Sequence, residues 1–308
     1  MKRTLLALLV AVLCVNIACA PALQPPQPTT SPAYVYELPE ETPAAVRTSA
    51  PAEVVREEVY NDHIDPNGET IRERFVALPG FERKEVDAYG EYIRDLPLLA
   101  DGSPILLYNG EESALNGRHA AVVDMDVGAR DLQQCADAAL RIRCEYLYAA
   151  GAYDAIRYHL TNGFLLSYEE YREGYRLQVD GNSTKMVKRA KEDTSYEAFR
   201  AYLDVLFNYA STRSLYKECE QIALEDLRVG DLFIVSGSPG HCVIVMDMLE
   251  NEKGTRMAIF GQSSMPAQQI HIIQEPMMVT PWVAIDTIRF PFKIAGWEFH
   301  EESIRRMP

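Results

Sequence analysis

The 308-residue chain has no apolar run able to cross a bilayer. The run Leu5–Val15 falls well short of the ~20 residues that a spanning helix needs, and no other stretch is apolar or long enough. Basic residues are few, 30 Lys plus Arg against 45 Asp plus Glu, which gives a formal net charge of −15. A surface of that sign repels nucleic acid and anionic lipid, which excludes both as partners. There is no Cys-x-x-Cys pair and no His-x-x-x-His spacing, so no zinc motif is present and no cofactor is implied. Cysteine is sparse beyond the first twenty residues, where Cys135, Cys144, Cys219 and Cys242 lie scattered without paired spacing. A domain of roughly 240 residues can bury enough surface to fold without disulfide staples. One disulfide among the four remains open in an oxidising compartment.

The N-terminus carries Lys2 and Arg3, then the apolar run, then small residues before Cys19. That is the layout of a secretory signal, over residues 1–18. Cleavage before Cys19, with Ala18 preceding it, resembles a lipobox and leaves a lipid-modifiable cysteine. Asn16 stands where a leucine is usual, and a plain secreted protein is the alternative. Loss of Lys2 and Arg3 takes the net charge to about −17. Residues 19–60 then read as a tether, because eight prolines fall between Pro21 and Pro51 among Thr, Ser, Gln and Ala. Such a segment cannot bury a core and extends at about 3.1 Å per residue, a reach of roughly 100 Å. Residues 61–308 read as one globular domain, without internal repeats or a second linker. The implied location is the cell envelope, as an outer-membrane or periplasmic lipoprotein touching the membrane only through its lipid.

Within the domain, Arg74–Ala77, Ile105–Tyr108 and His119–Val127 read as short strands. Asp131–Ala150 reads as a helix, with Leu132, Ala136, Ala139, Leu140, Cys144 and Leu147 at helical spacing. Tyr196–Tyr216 reads as a second helix. After it come the β-rich runs Asp231–Val235, His241–Met248, Met257–Gln262 and Ile270–Ile273, bounded by Gly, Pro, Asn or Ser. Helices followed by an antiparallel meander predict an α+β fold.

One constellation could carry chemistry. Asp131 as N-cap, with Gln134 three residues on, predicts a helix starting at Leu132 and places Cys135 in its first turn. A thiol there faces unsatisfied N–H groups at the positive end of the helix dipole, which predicts a depressed pKa. The plain alternative is a cysteine that simply packs in the core. His241 opens an apolar strand straight after Ser238-Pro239-Gly240, with Val243 and Val245 on its face and Cys242, Ile244 and Met246 on the other. Presented at a strand end, it suits the base of a Cys–His pair, though a structural histidine is the alternative. Gln262, the polar end of the next apolar run, is the candidate to orient the imidazole. His271, Ser263 and Asp247 are weaker choices for that role. The backbone N–H of Cys135 and the side chain of Gln133 or Gln134 would serve as oxyanion donors.

A helix-initiating Cys, the "VGDLFIV…GHCVIVMDM" hairpin and a polar-ended strand resemble the papain-like cell-wall amidases of the NlpC and CHAP type. Cys135, His241 and Gln262 match that family's order of catalytic residues. The resemblance implies a papain-like helix packed on an antiparallel sheet and a thiol amidase or peptidase acting on cell-wall peptides or related amides. About 95 residues separate the Cys helix from the Gly-Asp hairpin, which implies an inserted helical segment at about 151–190. Gln-Gln also precedes the cysteine where the NlpC group commonly has Asp. Longer stretches, "HAAVVDMDVGARDLQQCADAALRIRCEYLY", "GSPGHCVIVMDM" and "GQSSMPAQQIHII", resemble a family of Bacteroidetes lipoproteins of unknown function. Two other readings compete. A non-catalytic lipoprotein could bind glycan or a protein partner through its tyrosines, Trp282 and Trp297. A metal-dependent hydrolase would use His119, Asp124 and Asp126, but strand alternation sets His119 on the opposite face from both Asp residues.

Overall fold

Alternation along one long strand, His241–Asn251, decides how the layers assemble. Its even-numbered residues Cys242, Ile244 and Met246 pack into one buried cluster, and the odd-numbered Val243 and Val245 pack into another. A strand buried on both faces must be central to its sheet. The computed structural model describes residues 63–308, which belong to one compact unit. The expected signal segment, the expected lipidation at Cys19 and the expected tether lie outside the described residues.

The helices are α1 (Ile71–Arg74), α2 (Ala88–Arg94), α3 (Cys135–Ala149), α4 (Tyr168–Arg172), α5 (Tyr196–Tyr209) and α6 (Thr212–Glu218). The strands begin with β1 (Phe81–Glu82), β2 (His119–Val122), β3 (Arg157–His159), β4 (Leu165–Ser167), β5 (Tyr175–Asp180), β6 (Ser183–Lys188) and β7 (Glu220–Gln221). They continue with β8 (Leu232–Val235), β9 (His241–Asn251), β10 (Arg256–Gln262), β11 (His271–Ile273), β12 (Val283–Ala284), β13 (Phe292–Ile294), β14 (Trp297–Phe299) and β15 (Ile304–Arg306). The main sheet is antiparallel and runs β2-β11-β10-β9-β8-β15-β7, with β1 and β12 added beside β9 and β10. The fold is α+β.

Helix α3 covers one face of this sheet, bringing Ala138, Ala139 and Ile142 into the cluster that holds Cys242, Ile244 and Met246. Alanines there let the helix approach the strands closely. On the other face Phe233, Phe260 and Phe299 close the second cluster, with Phe233 and Phe260 set edge to face at 5.5 Å. Each such buried side chain contributes about 1.5–3 kcal/mol relative to exposure. Asp247 is buried on β9 and accepts from Arg83 Nε at 2.6 Å and Arg94 Nε at 2.7 Å. Those two bonds tie α2 and the segment before it to the central strand.

Several sequence expectations are corrected. Residues 151–190 hold mostly β-structure: hairpins β3–β4 and β5–β6 flank the single-turn α4. Tyr148 and Tyr168 pack there against Phe199 of α5, and Tyr153 packs against both of those tyrosines, so the three rings fill a core. The expected helix 196–216 is broken at Ala210-Ser211, because Ser211 caps a new helix by accepting from Arg213 N–H at 3.2 Å. Arg74–Ala77 is not a strand; Thr70 and Glu73 form a capping box that winds residues 71–74 into a helical turn. Ile105–Tyr108 makes only isolated bridges, and the strand at His119 ends at Val122. All four cysteines of the described residues are free thiols. No helix of the described residues is long and apolar enough to cross a membrane.

Candidate active site

Cys135 is the first residue of α3, three residues later than the cap pattern predicts. Asp131 does not cap the helix, because its carboxylate accepts from Ala267 N–H at 2.7 Å and from Gln134 Nε2 at 3.1 Å. Gln134 occupies the N-cap in extended backbone, and Asp137 reaches back to accept from its N–H at 3.1 Å. This long-range competition for Asp131 delays the helix and leaves the sulfur at its tip.

The Cys135 Sγ lies 4.0 Å from the Gly240 carbonyl oxygen, with the Cys242 N–H also directed at it. The thiol therefore meets the backbone on both sides of His241. It is not hydrogen-bonded to the imidazole ring itself. Gly240 permits the approach of neighbouring elements here, since a methyl group at that position would collide with Thr212 Oγ1 and the Val235 carbonyl. A cleft of about 320 Å³ opens beside the sulfur, walled by Cys135, Asp137, Phe207, Ser211, Gly240 and Met265 among others.

The expected depression of the thiol pKa is overturned. Burial pushes it up to about 11, and the Asp137 carboxyl adds to the rise, while the N–H groups of Ala136, Cys242 and Cys135 pull the other way. Asp137 is itself driven up to about 8 by burial, and its Oδ1 has no hydrogen-bond partner. Desolvation thus outweighs the helix terminus at both groups.

His241 is not presented at an open strand end. It is 3% exposed, and its ring stacks on Trp297 with centroids 5.0 Å apart and planes 8° from parallel. Its Nε2 lies 2.7 Å from Gln262 Oε1. The Gln262 amide nitrogen lies 3.1 Å from His271 Nε2, and His271 Nδ1 lies 3.0 Å from the Gln269 carbonyl. Burial pushes both imidazoles down to about 4, so both are neutral near pH 7.

The expected His241–Gln262 pair is therefore in contact, and Cys135 lies against the chain that carries His241. Of the oxyanion candidates, Gln134 Nε2 is bonded to Asp131, whereas Gln133 is buried with its Oε1 accepting from Arg141 and its Nε2 unpartnered. Trp282 is buried, and the half-buried Trp297 stacks one face of its ring on His241. His119 sits edge-on to His271 at 6.2 Å, and no group of three or more His, Cys, Asp or Glu among the described residues could hold a metal ion. Asp137 went unread as a site residue although it carries a signal, an acid two residues after a helix-opening cysteine. The sequence offers Trp297 only as a binding aromatic, and nothing there marks it as the ring stacked on His241.

A family profile described as a domain of unknown function, DUF4846, matches residues 71–306. The chain belongs to the DUF4846 family. The matched span runs from α1 to β15, so it contains Cys135, the polar row and the hairpins β3–β4 and β5–β6. No curated protein and no solved structure matches the chain.

Proposed function

We propose that this DUF4846 protein is a thiol hydrolase or acyltransferase acting on an amide bond, with Cys135 as nucleophile, His241 as base and Gln262 orienting the imidazole. The observation that carries the reading is the 2.7 Å contact of His241 Nε2 with the Gln262 amide oxygen. An oxygen there accepts the Nε2–H, which leaves Nδ1 unprotonated and able to take a proton. Thiol and imidazole rest neutral, so proton transfer accompanies attack rather than preceding it.

In this mechanism the His241 ring, stacked on Trp297 at the face of β9 opposite α3, turns toward the sulfur at the strand edge, and its Nδ1 takes the thiol proton while a bond forms between Sγ and the carbonyl carbon. The N–H groups at the tip of α3 face the developing oxyanion. The C–N bond then breaks, and His241 passes the proton to the departing amine. Water adds to the thioester, the S–C bond breaks, and the proton returns to sulfur. The compartment we propose is the cell envelope, with lipid on Cys19 and a papain-like ancestry for the site, which makes stem peptides of the cell wall the natural amide.

The test is mass spectrometry of the full-length protein incubated with peptidoglycan fragments and acyl-amide probes. We expect an adduct on Cys135 that Cys135→Ala and His241→Ala abolish. Turnover that survives Cys135→Ala would sink the reading. The mass of the mature N-terminus checks the lipid on Cys19.

A further inference from the structure

A neutral histidine has two tautomers, and only the form with a bare Nδ1 can serve the base role at His241. His241, Gln262 and His271 form one polar row, joined at 2.7 Å and 3.1 Å and ending on the Gln269 carbonyl at 3.0 Å. The protons of that row can be arranged in two ways. In the first, His271 carries its proton on Nδ1 and donates to Gln269 O. Its bare Nε2 accepts from the Gln262 NH2, and the Gln262 oxygen accepts from His241 Nε2–H. In the second, the Gln262 amide is turned over: His271 Nε2–H donates to its oxygen and its NH2 donates to His241 Nε2. His241 then carries its proton on Nδ1 and cannot act as the base.

The two arrangements make equal bonds at Gln262 and differ at the far end. A carbonyl oxygen only accepts, so Gln269 O bonds to His271 Nδ1 in the first arrangement and faces a lone pair in the second. His271 is completely buried and His241 nearly so, so water does not replace the lost bond.

We infer that His271 is a positioning residue which, held by the Gln269 carbonyl and acting through the Gln262 amide, sets the tautomer of His241. Its consequence for catalysis rests on the thiol-hydrolase reading, but the tautomer does not. His271 touches neither the thiol nor the cleft walls named above. The His119 ring meets it edge-on at 6.2 Å.

The experiment is long-range nitrogen-15 NMR of the histidine rings in the full folded chain at pH 7, which distinguishes Nδ1–H from Nε2–H forms. In the wild-type protein His271 is expected as Nδ1–H and His241 as Nε2–H. Replacing His271 by Phe cuts the Gln262 amide off from the Gln269 carbonyl, and losing the one bond that favours the first arrangement shifts the His241 ratio about fivefold toward the Nδ1–H form. His271→Asn, whose amide oxygen can accept from Gln262, is expected to restore the wild-type ratio. A wild-type His241 found as Nδ1–H overturns the inference even if no variant folds. So does an unchanged ratio in a folded His271→Phe protein. If the NMR result holds and no acyl-enzyme forms with any amide, the row stands and the hydrolase reading falls.

Discussion

Replacing Asp137 by Asn should stabilise the domain in a way that grows with pH. Burial lifts this carboxyl from 3.8 to about 8. Between those values the folded protein keeps a proton that the unfolded chain has released. Stability is therefore highest below about pH 4, falls as pH rises toward 8, and levels off above it. The full rise corresponds to at most about 6 kcal/mol, part of which water entry and local relaxation relieve. Asn can still accept from the Gln134 N–H, and its NH2 leaves an unsatisfied donor much as the protonated acid does, a cost of about 1–3 kcal/mol independent of pH. The stability difference between variant and wild type should thus be small near pH 4 and favour Asn by at least about 2 kcal/mol at pH 8.5. For a domain of this size that is about 4–8 °C in Tm. Urea titrations of both proteins at half-unit pH intervals give the comparison directly. A difference that stays constant from pH 4 to 8.5, or narrows, would refute the assignment of a buried, protonated carboxyl beside the thiol. The same substitution removes the charge that raises the Cys135 thiol, so alkylation of Cys135 at pH 9 should be faster in the variant.

In the native protein Cys135 should be the only cysteine of the described domain to react with iodoacetamide, because Cys144, Cys219 and Cys242 are buried. Its rate should climb about tenfold per pH unit from 7 to 10, and a plateau below pH 8 would contradict a thiol held near 11. Trp297→Ala removes the ring stacked on His241, a pair worth about 0.5–1.5 kcal/mol. With that cover gone the His241 pKa should rise from about 4 toward its ordinary value of 6.5, which NMR titration would follow. Asp247→Ala leaves the buried Arg94 without its carboxylate and should cost about 3–5 kcal/mol in urea unfolding. A loss below 1 kcal/mol would mean that water or Glu91 takes over the pairing.

The central meander was legible in the sequence because its signals are local. The strands β8 to β11 follow from apolar runs bounded by Gly, Pro and Asn, and period-two alternation alone separates Val243 from Cys242. That alternation also brought His241 and Gln262 onto one face. The misreadings came where tertiary contacts compete with local patterns. Asp131 has a good capping sequence, yet Ala267 N–H takes its carboxylate and α3 begins at Cys135. In the insertion, Asn162-Gly163 and Gly181-Asn182 are hairpin signals; the latter is the two-residue turn between β5 and β6. Reading that span as helical ignored them. The direction of the thiol pKa was out of reach, because the helix tip is visible in sequence and the burial that overrides it is not.

The row His241–Gln262–His271 crosses three neighbouring strands, β9, β10 and β11, and so acts as a gauge of strand alignment. Gln262 pairs directly with His271, and Gly261 with Ile244. A slip of one residue in β10 would turn Gln262 to the α3 face and put Gly261 in its place, leaving the Nε2 atoms of both imidazoles without partners in a dry interior. Alterations of chain length should therefore not be tolerated inside either strand, whatever the new residues are. Any partly unzipped form of the sheet would also break the row, so the base role proposed for His241 depends on the last strand being in register.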